Sequence, residues 1–410
     1  MRRATLANGL RVVTVHRGQS PLVALKLLIK VGSRHDGDRP GISHVVEHVL
    51  FNREWDSGES PFDRIEGTGG DLNAVTHREY TALQAVVLGE YVPDVLRAFG
   101  AVLAPLEVSE EQLSGERDVI LHEIEAAADS QTVLWDLFLQ GMWNGDPLAR
   151  PIYGYPETVR ALSVADLEAH FARYLVPSRM VLAAAGSLDH DEIVRLAERH
   201  LGWARADVWQ DTFPPPGRGS GQAALEKQLQ ATHLALGVEA AGMRDRRRPS
   251  VKLLHILLGS GATSRLHRRL RVSRSLVYHA STLAMAYEDR GYLCAYTTCS
   301  PHRVREVIEA VIEEFDRLRR EPVAHEELAD AKLRYEGSLA RHFETALSVA
   351  SLVAIEELID RFEPFEESIA AVRHVTPENL QAVAEEVFAL DRLVLARVGR
   401  AVTAAGAAGG

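Results

Sequence analysis

The sequence predicts an α+β protein of two domains with similar topology, each a mixed, mostly antiparallel sheet with helices packed on one face. Three observations lead there. Segments of strand character alternate with helical patterns in both halves of the 410-residue chain, and mixed strands with clustered helices are the α+β pattern. A break from Trp209 to Gly221, containing Pro214-Pro215-Pro216-Gly217 and Gly219-Ser220-Gly221, separates the halves. Proline can continue neither a ladder nor a helix interior, and the glycines loosen the chain. An apolar share of 46% against 25% charged residues supplies sizeable cores without forcing disorder. The expected organisation is a first domain over 1–208, a linker at 209–221, a second domain of like fold over 222–400 and a frayed Ala/Gly tail at 401–410.

In the first half, the Asn8-Gly9 turn signal precedes a strand from Leu10 to His16, and a Val/Leu/Ile-rich strand follows from Leu22 to Val31. After the polar Gly32–Gly41 loop, Ile42 to Asn52 reads as a helix, with Ser43 expected to cap it through its hydroxyl. A turn at Gly69-Gly70-Asp71 leads into an extended Leu72 to Ala74, and Tyr80 to Leu88 is the next strand. Helices are expected over Tyr91–Leu103, Ser109–Ala128 and Ala165–Tyr174, then a strand over Met180–Gly186. The second half gives strands at His233–Glu239, Leu276–Met285, Gly291–Thr298 and Arg392–Val398. Its helices are Ser250–Leu258, Arg303–Arg319, one long helix from His325 to Ile359, and Pro377–Phe388.

A formal net charge of -11 argues against a general nucleic-acid binder, which needs a basic footprint. No apolar h-region opens the chain and no window approaches the ~18 apolar residues of a membrane span, so the expected compartment is the cytoplasm, with no membrane partner. Cys294 and Cys299 match neither a disulfide framework nor a C-x-x-C pair and read as idle thiols.

The strongest chemical signal is Gly41-Ile42-Ser43-His44-Val45-Val46-Glu47-His48-Val49-Leu50-Phe51. His44, Glu47 and His48 stand at i, i+3 and i+4, so at 3.6 residues per turn they share one helix face. Ile42, Val45, Val46, Val49 and Leu50 would bury the rest of that helix. Two imidazoles one turn apart can hold one zinc ion, and the H-x-x-E-H order reverses the commoner H-E-x-x-H, with the glutamate as general base in both. Catalytic zinc needs a third protein ligand. Glu116 and Glu123, seven apart on one face of the Ser109–Ala128 helix, are the candidates: one as ligand, the other orienting a histidine. His122 and Glu125 on the same helix read as solvated.

With these residues in view, the chain resembles the pitrilysin/insulinase-like zinc metallopeptidases, the inverzincins, and within them the short bacterial branch related to the mitochondrial processing peptidase. The likeness runs from Leu6-Ala7-Asn8-Gly9-Leu10-Arg11-Val12-Val13 through the His44 helix and Gly69-Gly70-Asp71-Leu72-Asn73-Ala74-Val75-Thr76-His77-Arg78-Glu79-Tyr80 to Glu116-Arg117-Asp118-Val119-Ile120-Leu121-His122-Glu123. The resemblance implies that Glu123 is the third ligand and Glu116 a supporting carboxylate. It implies that Asn73 and Ala74 lie on an edge strand that pairs with substrate backbone, a β-augmentation tolerant of varied sequences. It further pairs Arg271 with Tyr278, seven residues later, as groups that reach the zinc site across a closed chamber, the arginine donating to substrate carbonyls and the tyrosine stabilising the oxyanion. Two departures stand out: Asn52-Arg53-Glu54-Trp55 replaces the family's Lys-Gly-Thr, and Ser275 stands where the family often has glycine.

The function so implied is zinc-dependent endopeptidase cleavage of peptides or unfolded leader segments, with one Zn2+ per chain and Glu47 activating the water. Two chains would face each other, as a homodimer in which each subunit's zinc site opposes Arg271 and Tyr278 of the partner subunit, or as a heterodimer with a related chain. The competing readings are a non-catalytic partner subunit and a dedicated leader-peptide maturase.

Overall fold

A computed structural model of the chain describes residues 1–18, 20–52, 60–202, 211, 213 and 221–400. Most of the expected 209–221 linker, the 401–410 tail and the family departure at 53–55 lie outside the described residues. In chain order the elements are β1 (Arg2–Thr5), β2 (Arg11–His16), β3 (Leu22–Ile29), α1 (Ile42–Phe51), α2 (Pro61–Gly67), β4 (Asp71–Thr76), β5 (Thr81–Leu88), α3 (Val92–Val102), α4 (Glu110–Ala126) and α5 (Ser130–Met142). Then come α6 (Pro156–Ala161), α7 (Val164–Tyr174), β6 (Met180–Gly186), α8 (His190–Leu201), β7 (Gly221–Glu226), β8 (Thr232–Ala240), α9 (Arg248–Gly259), β9 (Val277–Ala286) and β10 (Gly291–Cys299). The chain closes with α10 (Val304–Arg320), α11 (His325–His342), α12 (Ala346–Leu358), α13 (Phe365–Arg373), α14 (Pro377–Val387) and β11 (Val394–Gly399). The α+β class is as expected. Among the described residues no helix is long and apolar enough to cross a membrane.

Two compact units form. One comprises Met1–Ala126, Arg150–Pro214 and Ala340–Phe362; the other comprises Ala127–Ala149, Pro215–Leu339 and Glu363–Gly410. Each unit therefore takes one helix from beyond the 209–221 segment: α12 joins the first and α5 the second.

The first unit is built on a six-stranded sheet in the order β1-β2-β6-β3-β5-β4. Only β2 and β6 run parallel; the other pairs are antiparallel. On one face Val23, Leu25, Leu27 and Ile29 of β3 pack in a single core with Val45, Val46 and Val49 of α1 and Phe99 of α3. On the other face Ala24 and Leu28 of β3 and Val181, Ala183 and Ala185 of β6 meet Val349, Ala350, Val353 and Ala354 of α12. Cover on both faces explains why β3 reads as a continuous apolar run rather than an alternating one. Lys26, the polar exception within β3, donates its ammonium protons to Gln84 and to Ser351 of α12 at 3.1 Å each.

The second unit repeats the plan with five strands in the order β7-β11-β8-β10-β9. Leu234, Leu236 and Val238 of β8 pack with α9, α10 and α14 through Leu254, Val311 and Leu380. Ala235, Cys294 and Val394 face Leu134, Phe138 and Leu139 of α5. Gly237 makes that approach possible, because a Cβ there would lie 2.7 Å from Phe138. Both cysteines are free and buried.

Several elements escaped the sequence reading. β1, α2, α5, α6, α8, β7 and α13 have no counterpart among the expected elements, and the single helix expected from His325 to Ile359 is two helices, α11 and α12. Thr345 makes the division: its side chain accepts from the Ser348 N–H and starts α12 anew. Helix-forming residues run on through that break with no proline from His325 to Leu358, and the cap marks the restart.

Phe138 is fully buried and meets Tyr292 edge-on, ring centroids 5.3 Å apart. Phe138→Ala is expected to lower unfolding stability by about 3–5 kcal/mol, read from guanidinium unfolding of the second unit's transition.

Candidate metal centre

The centre grows from α1. Its N-cap is Gly41, in the left-handed region at φ 97°, with no side chain to close the helix end. The expected Ser43 cap is therefore corrected. Ser43 donates its hydroxyl proton to Asp36 Oδ1 at 2.6 Å, and Asp36 accepts the orphan N–H groups of Gly41 at 2.7 Å and Ser43 at 3.2 Å. Gly41 also lets two backbones touch: a Cβ there would stand 2.6 Å from the Tyr153 carbonyl oxygen, and one on Gly154, also at positive φ, 2.2 Å from that of Pro40. The contact sets the Tyr153 ring edge-on to His44, centroids 5.3 Å apart.

From that start the helix presents His44, Glu47 and His48 together. The two imidazoles are 4.6 Å apart, centroid to centroid. The α4 helix packs against α1 and brings Glu123 between them: Glu123 Oε2 lies 3.7 Å from His44 Nε2 and 3.6 Å from His48 Nε2. That oxygen is buried and has no hydrogen-bond partner. A buried, unpartnered carboxylate oxygen is costly, and two imidazole nitrogens converging on it make a cradle for a divalent cation. All three ligand atoms fall within 4.8 Å of one another, the one such cluster found among the described residues. Two nitrogens and one carboxylate oxygen form the donor set of a catalytic zinc site with an open fourth position.

The surroundings tune each group. Burial, helped by the nearby His48, pushes His44 down to about 3, so it stays neutral and its Nε2 lone pair stays available. Burial would lower His48 too, but the Glu116 hydrogen bond and the Glu123, Glu47 and Glu116 charges outweigh it and raise His48. Glu116 Oε2 sits 3.1 Å from His48 Nδ1, on the ring nitrogen turned away from Glu123. Glu47 is raised by burial, against the opposing charge of His48 and a hydrogen bond from Thr76, whose hydroxyl donates to Oε2 at 3.1 Å. Thr76 ends β4, the outermost strand of its sheet. Asn73 and Ala74 lie on that same strand, with Asn73 exposed. His122 and Glu125 are exposed on α4.

Arg271 and Tyr278 belong to the second unit. Arg271 lies in a π-helical turn, His267–Ser273, and its guanidinium sits 4.8 Å over the Tyr278 ring. Tyr278, on β9, is 80% exposed. Between them Ser275 adopts φ 49°, the left-handed conformation that glycine takes without penalty. α9 follows β8 as α1 follows β3, and β8 and β3 hold matching places in their sheets, so α9 is the second unit's counterpart of α1; it carries His255 alone and no H-x-x-E-H. Sequence reasoning missed Asp36, Tyr153, Gly154 and His170. Gly41, by contrast, left a legible trace as the end of the Gly32–Gly41 loop.

The insulinase family, peptidase family M16, matches residues 11–155, and the peptidase M16 inactive domain matches residues 161–335. An uncharacterized zinc protease of Mycobacterium tuberculosis is 30% identical over 94% of this chain and 90% of its own length. One of Bacillus subtilis is 27% identical over 95% and 96%. In fold, the chain is similar to a protease from Helicobacter pylori, with TM-score 0.89, 20% identity and coverage of 97% of this chain and 98% of that one. It is equally similar to a peptidase M16 inactive domain from Pseudomonas fluorescens, with TM-score 0.89, 18% identity and 98% coverage of both.

Two outcomes are expected from this geometry. Glu116→Gln removes the charge that favours the protonated imidazole, so the His48 titration midpoint in metal-free protein falls, as read by proton–nitrogen NMR. Ser275→Gly relieves the left-handed strain and raises stability by about 0.5–1 kcal/mol, the strain of roughly 1–2 kcal/mol offset in part by glycine's larger unfolded-state entropy; thermal unfolding reads it.

Proposed function

Because the chain belongs to the insulinase-like zinc peptidases of family M16, we propose that it is a zinc-dependent endopeptidase in which His44, His48 and Glu123 hold one zinc ion and Glu47 is the general base. The observation that carries this reading is the unpartnered Glu123 oxygen between two imidazoles, with a raised carboxyl, Glu47, one helical turn from His44 on the same face. A zinc ion held there supplies Lewis acidity, making an attacking water acidic enough to ionise near neutral pH.

The remaining steps belong to the chain. Glu47 takes a proton from the water as its oxygen attacks the scissile carbonyl carbon, and returns a proton to the amine nitrogen as the C–N bond breaks. One water is consumed, and one carboxyl and one amine terminus appear. The raised affinity of Glu47 for a proton suits both halves of the shuttle, and the Thr76 hydroxyl holds its carboxylate in place. Glu116 fixes His48 through Nδ1, so Nε2 faces Glu123. A substrate in extended form adds as a strand beside Asn73 and Ala74 on the β4 edge, recognised through its backbone. Arg271 and Tyr278 serve the carbonyl oxygen, Tyr278 by its hydroxyl and Arg271 by holding the ring; the exposure of Tyr278 supports that role. The assembly that follows is a homodimer that encloses the peptide, with a related chain as the other possible partner.

Purified protein is expected to carry about one zinc per chain and to cut a peptide library, with chelator abolishing the cuts by mass spectrometry. Glu47→Gln should lose about 10²–10⁴-fold in kcat with zinc retained, and Glu123→Gln should lose the zinc. Wild-type cleavage by Glu47→Gln would refute the assignment.

A further inference from the structure

α1 bears three of the centre's groups, and Ile42, Val45, Val46, Val49 and Leu50 pack its inner side into the core. The N-cap Gly41 contributes no side-chain hydrogen bond. What anchors the helix start is Asp36, a carboxylate only 4% exposed, which accepts from two backbone N–H groups and one hydroxyl of the first turn. A left-handed Gly37 follows it and turns the chain so that Asp36 reaches back onto the helix end. A carboxylate there also favours the positive end of the helix dipole.

The anchor is tied to a third element. Ser43 Oγ lies 3.1 Å from Nε2 of His170 on α7. Burial and nearby positive charges hold His170 down to about 3, so it is neutral. Since the Ser43 proton goes to Asp36, the Ser43 oxygen accepts from His170 Nε2–H. His170 also packs on Tyr174, centroids 4.8 Å apart, whose hydroxyl donates to the His35 carbonyl at 3.3 Å. Thus His170, Ser43 and Asp36 form a hydrogen-bonded chain that seats the helix one residue before His44.

We infer that Asp36 is the positioning residue of the metal centre: by seating the first turn of α1 it sets both imidazoles against Glu123. This rests on the zinc reading of the site. His44 is in the first turn, so loss of the seat moves it first, while His48 stays tied to Glu116 and Glu123 stays on α4.

The test measures zinc dissociation constants by competition with a chromophoric chelator, cobalt(II) d–d spectra, and metal-free melting temperatures for wild type, Asp36→Asn, Asp36→Ala and Ser43→Ala. Val353→Ala, a core truncation on α12 in the same unit, serves as a control for plain destabilisation. Asp36→Ala is expected to weaken zinc about 10–100-fold, the range seen when groups supporting a ligand are lost, and to alter the cobalt spectrum. Asp36→Asn, which keeps the shape but turns one acceptor into a donor, should weaken zinc less, and Ser43→Ala least. Val353→Ala should lower the melting temperature while leaving zinc affinity within twofold. If Asp36→Asn, or Asp36→Ala where it folds, binds zinc within twofold of wild type, or if Val353→Ala matches their loss, the inference is overturned while the zinc reading stands. If the wild-type chain binds no zinc, both fall together.

Discussion

A single carboxylate oxygen, Glu123 Oε2, sits between two imidazole nitrogens with no proton donor of its own. Much of the first unit can be understood as the apparatus that holds it there. Two elements far apart in sequence must meet: α1, which carries the imidazoles, and α4, which carries the carboxylate. The sheet supplies a rigid floor for α1 through β3, and Glu116, two turns before Glu123, ties α4 to His48 by a hydrogen bond. One helix thus contributes both the orphan oxygen and the group that aims its neighbour.

The electrostatics of the centre follow from where each side chain is buried. His44 is enclosed and neutral, whereas His48 faces three carboxylates and holds a proton more readily. Glu47 is drawn in the opposite direction by burial. A cation at the cluster would replace the proton on His48 and balance Glu123, which accounts for why three acidic groups and two imidazoles can share so small a space. The same logic reaches the seat beneath the helix, where Asp36 is enclosed, pushed up to about 7 by burial, and steadied by three donors.

The two units share an architecture and differ in chemistry. The second keeps the sheet, a helix after β8 where the first has one after β3, and the flanking helices, but α9 carries no H-x-x-E-H. Its distinctive surface is instead the exposed Tyr278 with Arg271 stacked on it, held by a turn that strains Ser275. Each sheet is covered on its second face by a helix from across the 209–221 segment, α12 on one and α5 on the other.

The sequence by itself determined the α+β class, most of the strands and the shared face of His44, Glu47 and His48, because these depend on local periods. Alternation and apolar runs mark strands, and the i, i+3, i+4 spacing puts His44, Glu47 and His48 on one face whatever surrounds the helix. It left two carboxylates, Glu116 and Glu123, with interchangeable roles, because a seven-residue spacing gives a shared face and no distance to a partner. The family resemblance gave them separate roles, and the tertiary structure supplied the distances, with Glu116 on Nδ1 and Glu123 toward Nε2. The tertiary structure alone decided the cap: a hydroxyl in the first turn looks like a cap in sequence, but the acceptor is Asp36, brought back by the turn at Gly37. The exchange of α5 and α12 was equally hidden, since the apolar residues of a helix record that it must be buried and not which sheet buries it.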